Sequence, residues 1–134
     1  MEVINHEVFF NVSPEVLYDT LMDEKKHAAF TDSEVTIDPL EEGAFSVFDG
    51  YITGKNLQLV PGKKIVQCWK AVEDGWPENH LSKITFIIEP VKTGCKLTFV
   101  HSNIPDGLKE RFDKGWKEHY WERLNSYFDS QKKF

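Results

Sequence analysis

Cysteine is scarce in this chain: 134 residues carry only Cys68 and Cys95. They form no CxxC pair and no framework of spacings, so neither a disulfide-stapled scaffold nor a cysteine zinc site is expected. No run approaches the roughly 20 apolar residues that a membrane helix requires, and the first ten residues lack the basic start and apolar stretch of a secretory signal. Basic residues are also short, at 16 against 22 acids for a formal charge of -6, which argues against general nucleic-acid binding. The five histidines (His6, His27, His80, His101 and His119) show no HExxH and no metal-site spacing. A GxSxG elbow, a P-loop and a dinucleotide fingerprint are all missing. These absences predict a cytoplasmic protein with two free thiols, no catalytic set, no metal and no cofactor.

Aromatic residues, by contrast, make up 13% of the chain, including ten Phe and four Trp, ample material for one core without staples. The stretch from Pro105 to Phe134 organises the rest. Asp106 stands where it can cap a helix start, and Phe112, Trp116, Tyr120, Leu124, Tyr127 and Phe128 recur at three- and four-residue spacings. This predicts a helix over about Gly107 to Ser130, buried along one face. Gly115, inside it, predicts either close passage over a sheet or room beside Trp116.

Before this helix the period is mostly two. Glu2 to Asn11 alternates, with Ile4, His6, Val8 and Phe10 on one side. Ser13-Pro14-Glu15 then marks a helix start, with Ser13 as N-cap and Leu17, Tyr18 and Leu21 as the apolar face; Asp23 to Phe30 reads as a second short helix. From Ser33 onward, strands are predicted around Val35 and Ile37, at Phe45–Phe48, Tyr51–Val60, Lys63–Lys70, Leu81–Glu89 and Cys95–His101. Asp49-Gly50 signals a two-residue hairpin, Pro61-Gly62 a turn, Gly54 a bulge, and Pro90 with Gly94 the last connection. Connections this short make the sheet antiparallel. The expectation is an α+β arrangement of about seven strands, two short helices after the first strand and one long C-terminal helix.

Phe45 to Trp69, reading FSVFDGYITGKNLQLVPGKKIVQCW, resembles the pattern of the family related to the activator of Hsp90 ATPase. Trp76-Pro77 after that strand, Gly115-Trp116 preceded by Ile104-Pro105, and Ala29-Phe30-Thr31 are similar to the same family. The resemblance covers nearly the whole chain and implies one helix-grip (START-like, birch-pollen-allergen-like) domain over residues 1–134, its curved antiparallel sheet gripping the last helix. It implies a non-enzymatic module that binds an Hsp90-type chaperone or another protein and modulates its partner's ATPase. It also implies that the separate N-terminal domain of the eukaryotic co-chaperone has no counterpart in 134 residues. The expected state is a monomer or weak dimer.

The alternative expectation is a small hydrophobic ligand held between sheet and helix, with or without an associated enzymatic activity. Phe45, Val47, Trp69, Phe86, Phe99, Trp116 and Tyr120 are the interior set, to be read either as cavity lining or as plain core, and Tyr51, His101 or Tyr120 would supply polar groups. For acid–base work Glu89 and Tyr120 are the best placed, each with a structural reading beside it. Cys68 reads as an inert strand thiol. The protein-contact candidates are Trp76, Trp121, Lys63, Lys64, Lys109 and Lys117. Trp76 either anchors its loop or is presented, and Trp121 either covers the sheet edge or leaves an apolar patch. Residues 1–50 hold 12 acids against two lysines, whereas residues 51–134 hold 10 acids against 14 bases, a polarity that either is neutralised between neighbouring parts of the fold or orients a partner.

Overall fold

The computed structural model describes residues 1–131. Strand β1 (Glu2–Phe10) is followed by helices α1 (Pro14–Met22) and α2 (Glu24–Thr31). Then come β2 (Thr36–Ile37), β3 (Ala44–Val47), β4 (Ile52–Val60), β5 (Lys64–Ala71), β6 (Ser82–Val91) and β7 (Gly94–Ile104). The last helical stretch is α3 (Lys109–Trp116), a π-helical turn over Lys117–Trp121, and α4 (Glu122–Gln131). The seven strands form one antiparallel sheet in the order β1-β7-β6-β5-β4-β3-β2. The expected α+β helix-grip layout is therefore present, with the first strand closing on the last, Glu2 opposite Ile104 and Phe10 opposite Cys95.

Local chemistry explains most boundaries. Ser13 Oγ accepts the Val16 N–H at 3.3 Å, and Pro14 opens α1 where its missing N–H costs nothing. Asp23 caps α2 in the same way through the Lys26 N–H. On the strands the alternation buries Ile84, Phe86 and Ile88 of β6 against Cys95, Leu97 and Phe99 of β7. Gly54, in β4 opposite Trp69 and Phe45, does not sit at a bulge; the irregularity in β4 lies between Asn56 and Gln58. Glycine is required at Gly54 by close approach, because a Cβ there would stand 2.0 Å from the Cys68 carbonyl oxygen and 2.6 Å from the Phe45 ring.

Four other expectations are corrected. The β3–β4 connection is not a two-residue hairpin: Phe48, Asp49 and Gly50 all take positive φ, and Asp49 Oδ1 accepts the Glu34 N–H, so the side chain ties this four-residue turn to the preceding loop. Pro90 lies within β6, not in a turn. Pairing of β6 with β5 ends at Ile87, so Pro90 has no ladder bond to donate on that side. The final helix begins at Lys109 with no side-chain cap, while Asp106 meets the N-terminal amine of Met1 at 3.4 Å and Glu2 accepts the Gly107 N–H. Finally, that helix is not regular.

Phe112, Trp116, Tyr120, Leu124 and Phe128 are each four residues apart and all buried. In a regular helix of about 3.6 residues per turn such a series rotates about 40° at every step and would leave the sheet. The wider turn at Lys117–Trp121, closed by the Glu122 N–H on the Lys117 carbonyl, takes up that drift and brings Trp121 inward beside Tyr120.

Candidate functional site

A cleft of about 200 Å³ opens where the β3–β4 turn and β5 meet the last helix. Phe48, Tyr51 and Ile52 form one side, Trp69 another, and Arg111, Phe112, Gly115, Trp116, His119 and Tyr120 the helical wall. Gly115 leaves it open: a Cβ built there meets nothing within 4 Å, so this glycine provides room beside Trp116 and is not forced by close packing.

Deeper in, only about 20 Å³ remains between Phe45, Val47, Phe86 and their neighbours, room for about one water and not for a ligand. The interior set therefore divides. Trp69, Trp116 and Tyr120 line the cleft; Phe45, Val47 and Phe86 are core walls; Phe99 lines neither space and packs against Trp116, Trp121 and Phe86 at ring separations of 4.5, 5.0 and 5.2 Å. The sequence reasoning passed over Phe48, Ile52, Arg111 and His119 as lining, and placed Phe112 only as a core position.

Most polar groups around the cleft are committed within the fold. Indole N–H groups only donate and carbonyl oxygens only accept, which assigns the tautomers of His6, His27 and His101. Trp116 Nε1–H donates to His101 Nδ1 at 3.0 Å, so His101 donates from Nε2 to Ser82 Oγ at 2.9 Å, and Ser82 donates to the Trp69 carbonyl at 2.9 Å. The Leu21 carbonyl takes His27 Nδ1–H at 2.9 Å, leaving His27 Nε2 to accept the Tyr120 hydroxyl at 2.8 Å. Both rings are buried, and burial lowers His27 to about 4 and His101 to about 3, so both are neutral at pH 7. Burial likewise raises Tyr120 far above its usual range. His101 and Tyr120 are thus spent on internal bonds and do not offer their polar atoms to the cleft.

His6 belongs to a third network. Trp121 Nε1–H donates to its Nδ1 at 2.9 Å, and its Nε2–H meets Asp113 Oδ1 at 2.7 Å. Burial alone would raise Asp113, but bonds from His6 and Lys117 outweigh it and hold the carboxyl low. His6 and His101 are not register partners across β1 and β7: His101 faces Ile4, and His6 faces Phe99. At the cleft mouth Glu73 accepts from the Tyr51 hydroxyl and from Arg111 Nη1. Burial, then this bond, pushes Tyr51 well above its usual range.

Trp121 is 5% exposed and covers β1 and β7, so it is not a surface contact. The π turn moved it off the phase of a regular helix. Trp76 is half-buried and tucked back: its N–H donates to the His80 carbonyl at 2.9 Å, and its ring lies 5.8 Å from Trp69. Lys63 and Lys109 are exposed, Lys64 is half-buried, and Lys117 pairs with Asp113 at 3.1 Å. Glu89 is exposed on β6 and lines neither space. Cys68 stands on the outer face between Lys55 and Lys83, and burial pushes the Cys95 thiol up to about 11. Among the described residues no group of three or more His, Cys, Asp or Glu could hold a metal, and no helix is long and apolar enough to cross a membrane.

A curved antiparallel sheet closed around a C-terminal helix, with an aromatic cleft at their junction, defines a helix-grip domain of the START-like class. Within that class, residues 11–129 match the model of the Activator of Hsp90 ATPase homolog 1-like protein family, and the chain belongs to that family. It is 35% identical over 126 residues to an activator of 90 kDa heat shock protein ATPase homolog of Dictyostelium discoideum, covering 92% of this chain and 32% of that protein. The human homolog 1 is 32% identical over 119 residues, 89% of this chain and 35% of its own length. The chain thus spans about a third of the length of these relatives. Among solved structures, an HSP90 activator from Plasmodium falciparum superposes with a TM-score of 0.84 at 28% identity, covering 96% of this chain and 95% of that one.

Proposed function

We propose that this chain is a non-enzymatic protein-binding module that docks on an Hsp90-type chaperone and modulates its ATP hydrolysis. The observation that carries this reading is the family match across residues 11–129, together with relatives named as activators of that ATPase. The site chemistry supports it: the buried His27 and His101 are locked as neutral hydrogen-bonding struts and are not free for proton transfer. The test is ATP hydrolysis by the cognate Hsp90-type chaperone with and without this protein, alongside a pull-down. The expected result is retention together with a change in rate; absence of both removes the reading.

A second reading has its own observation, the aromatic cleft. At about 200 Å³ it is smaller than the roughly 300–1,000 Å³ usual for ligand pockets, which favours a single ring over a long lipid chain. Line broadening of small aromatic probes on addition of the protein would support occupancy. Unchanged probe spectra at millimolar concentration would eliminate it.

A further inference from the structure

We infer that the cleft is selective for an aromatic group bearing a carboxylate, with the ring between the aromatic walls and the carboxylate on donors of Arg111 and Trp69. This rests on the cleft-ligand reading and not on the chaperone one.

Few polar atoms of the cleft wall are still free to bond. Tyr120 donates to His27, Trp116 to His101, and Tyr51 to Glu73. The Glu73 carboxylate is occupied by Tyr51 and Arg111. What remains is a set of apolar ring surfaces, the His119 ring and a few donors. Arg111 is exposed at the mouth and uses one Nη1–H on Glu73, leaving the rest of its fork. Trp69 is 5% exposed, yet among the described residues its indole N–H has no hydrogen-bond acceptor, unlike those of Trp76, Trp116 and Trp121. Nor is that N–H sealed in the core, since no fully buried side-chain nitrogen or oxygen is left unbonded. Trp69 lines the cleft, so an occupant can supply the acceptor that its N–H lacks.

The Arg111 fork and the Trp69 N–H both donate, so they favour an acceptor-only head, and a carboxylate is the acceptor that an Arg fork reads best. Size selects the body. An apolar cavity of about 150 Å³ holds a benzene, so about 200 Å³ with an open mouth suits one ring and a short linker. The same chemistry occurs in a free arylalkanoate and in a polypeptide ending in phenylalanine.

The test is titration of the ¹⁵N-labelled protein with 3-phenylpropanoate and with its neutral amide, following the four tryptophan indole signals. The acid is expected to shift the Trp69 signal and to bind about five- to tenfold more tightly than the amide. Arg111→Gln should bring the acid down to the level of the amide. Gly115→Leu, which fills the open space at Gly115 and raises helix propensity, should abolish both while the remaining spectrum stays folded. Equal affinity of acid and amide overturns the head-group assignment and leaves the cleft reading standing; no shift with either compound overturns both. A peptide ending in Phe with a free carboxylate, set against its amidated form, tells the two sources apart: stronger binding of that peptide than of 3-phenylpropanoate points to a chain terminus, and the reverse to a small molecule.

Discussion

Mild acid should destabilise this protein well before its carboxylates are protonated. His27 and His101 are buried with both ring nitrogens committed, and their folded values are lowered to about 4 and about 3 from 6.5. A second proton on His101 would have to sit at Nδ1, where the Trp116 N–H already points; on His27 it would displace the Tyr120 hydroxyl. Because the folded values lie below the unfolded one, the contribution is fully present above about pH 6.5 and is lost as pH falls towards the folded values. At pH 5 an unfolded histidine has taken up its proton while the folded one has not, which costs about 2 kcal/mol per ring. Two rings give about 4 kcal/mol, a large fraction of a typical net stability of about 5–15 kcal/mol. Urea unfolding followed by tryptophan fluorescence at intervals from pH 7.5 to 4.5 should show a slope approaching about 2.7 kcal/mol per pH unit below pH 6. His27→Gln should lower stability at neutral pH and remove about half of that slope. A stability that is flat down to pH 4.5 would refute the assignment of both rings as locked neutral struts.

Other substitutions probe the packing. Trp116→Ala, which empties the centre of the aromatic cluster, should cost about 3–5 kcal/mol in urea unfolding. Gly54→Ala should cost about 3 kcal/mol or more, because its Cβ would fall on the Cys68 carbonyl oxygen and the Phe45 ring; a thermal midpoint close to that of the parent would contradict the close approach there. Gly115→Ala should raise stability by about 0.5–1 kcal/mol, since it gains helix propensity in open space, and a loss measured by the same denaturation would mean that the space is occupied.

Local chemistry was legible in the sequence where it acts over a few residues. Ser13-Pro14 opens a helix because the cap and the missing N–H act within one turn, and period-two runs such as Ile84, Phe86 and Ile88 must share one face of a strand. The hydrogen-bond struts were not legible: His27 and Tyr120 are 93 residues apart, and His6 and Asp113 are 107 apart, so their meeting is a property of the closed fold. Phe48 was overlooked as lining because its φ of 55° takes it out of strand geometry, and alternation says nothing about such a residue. Trp121 kept two readings because the arc was drawn on a regular helix, whereas the π turn advances the phase before it and selects the one in which it covers the sheet edge.

The pairing of β1 with β7 also bears on how the chain is made. Glu2 finds its partner in Ile104, and Phe10 in Cys95. On a ribosome adding about 5–20 residues each second, β1 waits for several seconds before its partner exists. Through that interval Phe10, buried in the finished sheet, has no sheet to enter, and the backbone of β1 is an unpaired strand edge open to foreign strands. Glu7 and the flanking Asn5 and Asn11, polar residues spread along this segment, oppose such pairing. Until β7 arrives both edges of β1 are open, where the finished sheet leaves only one.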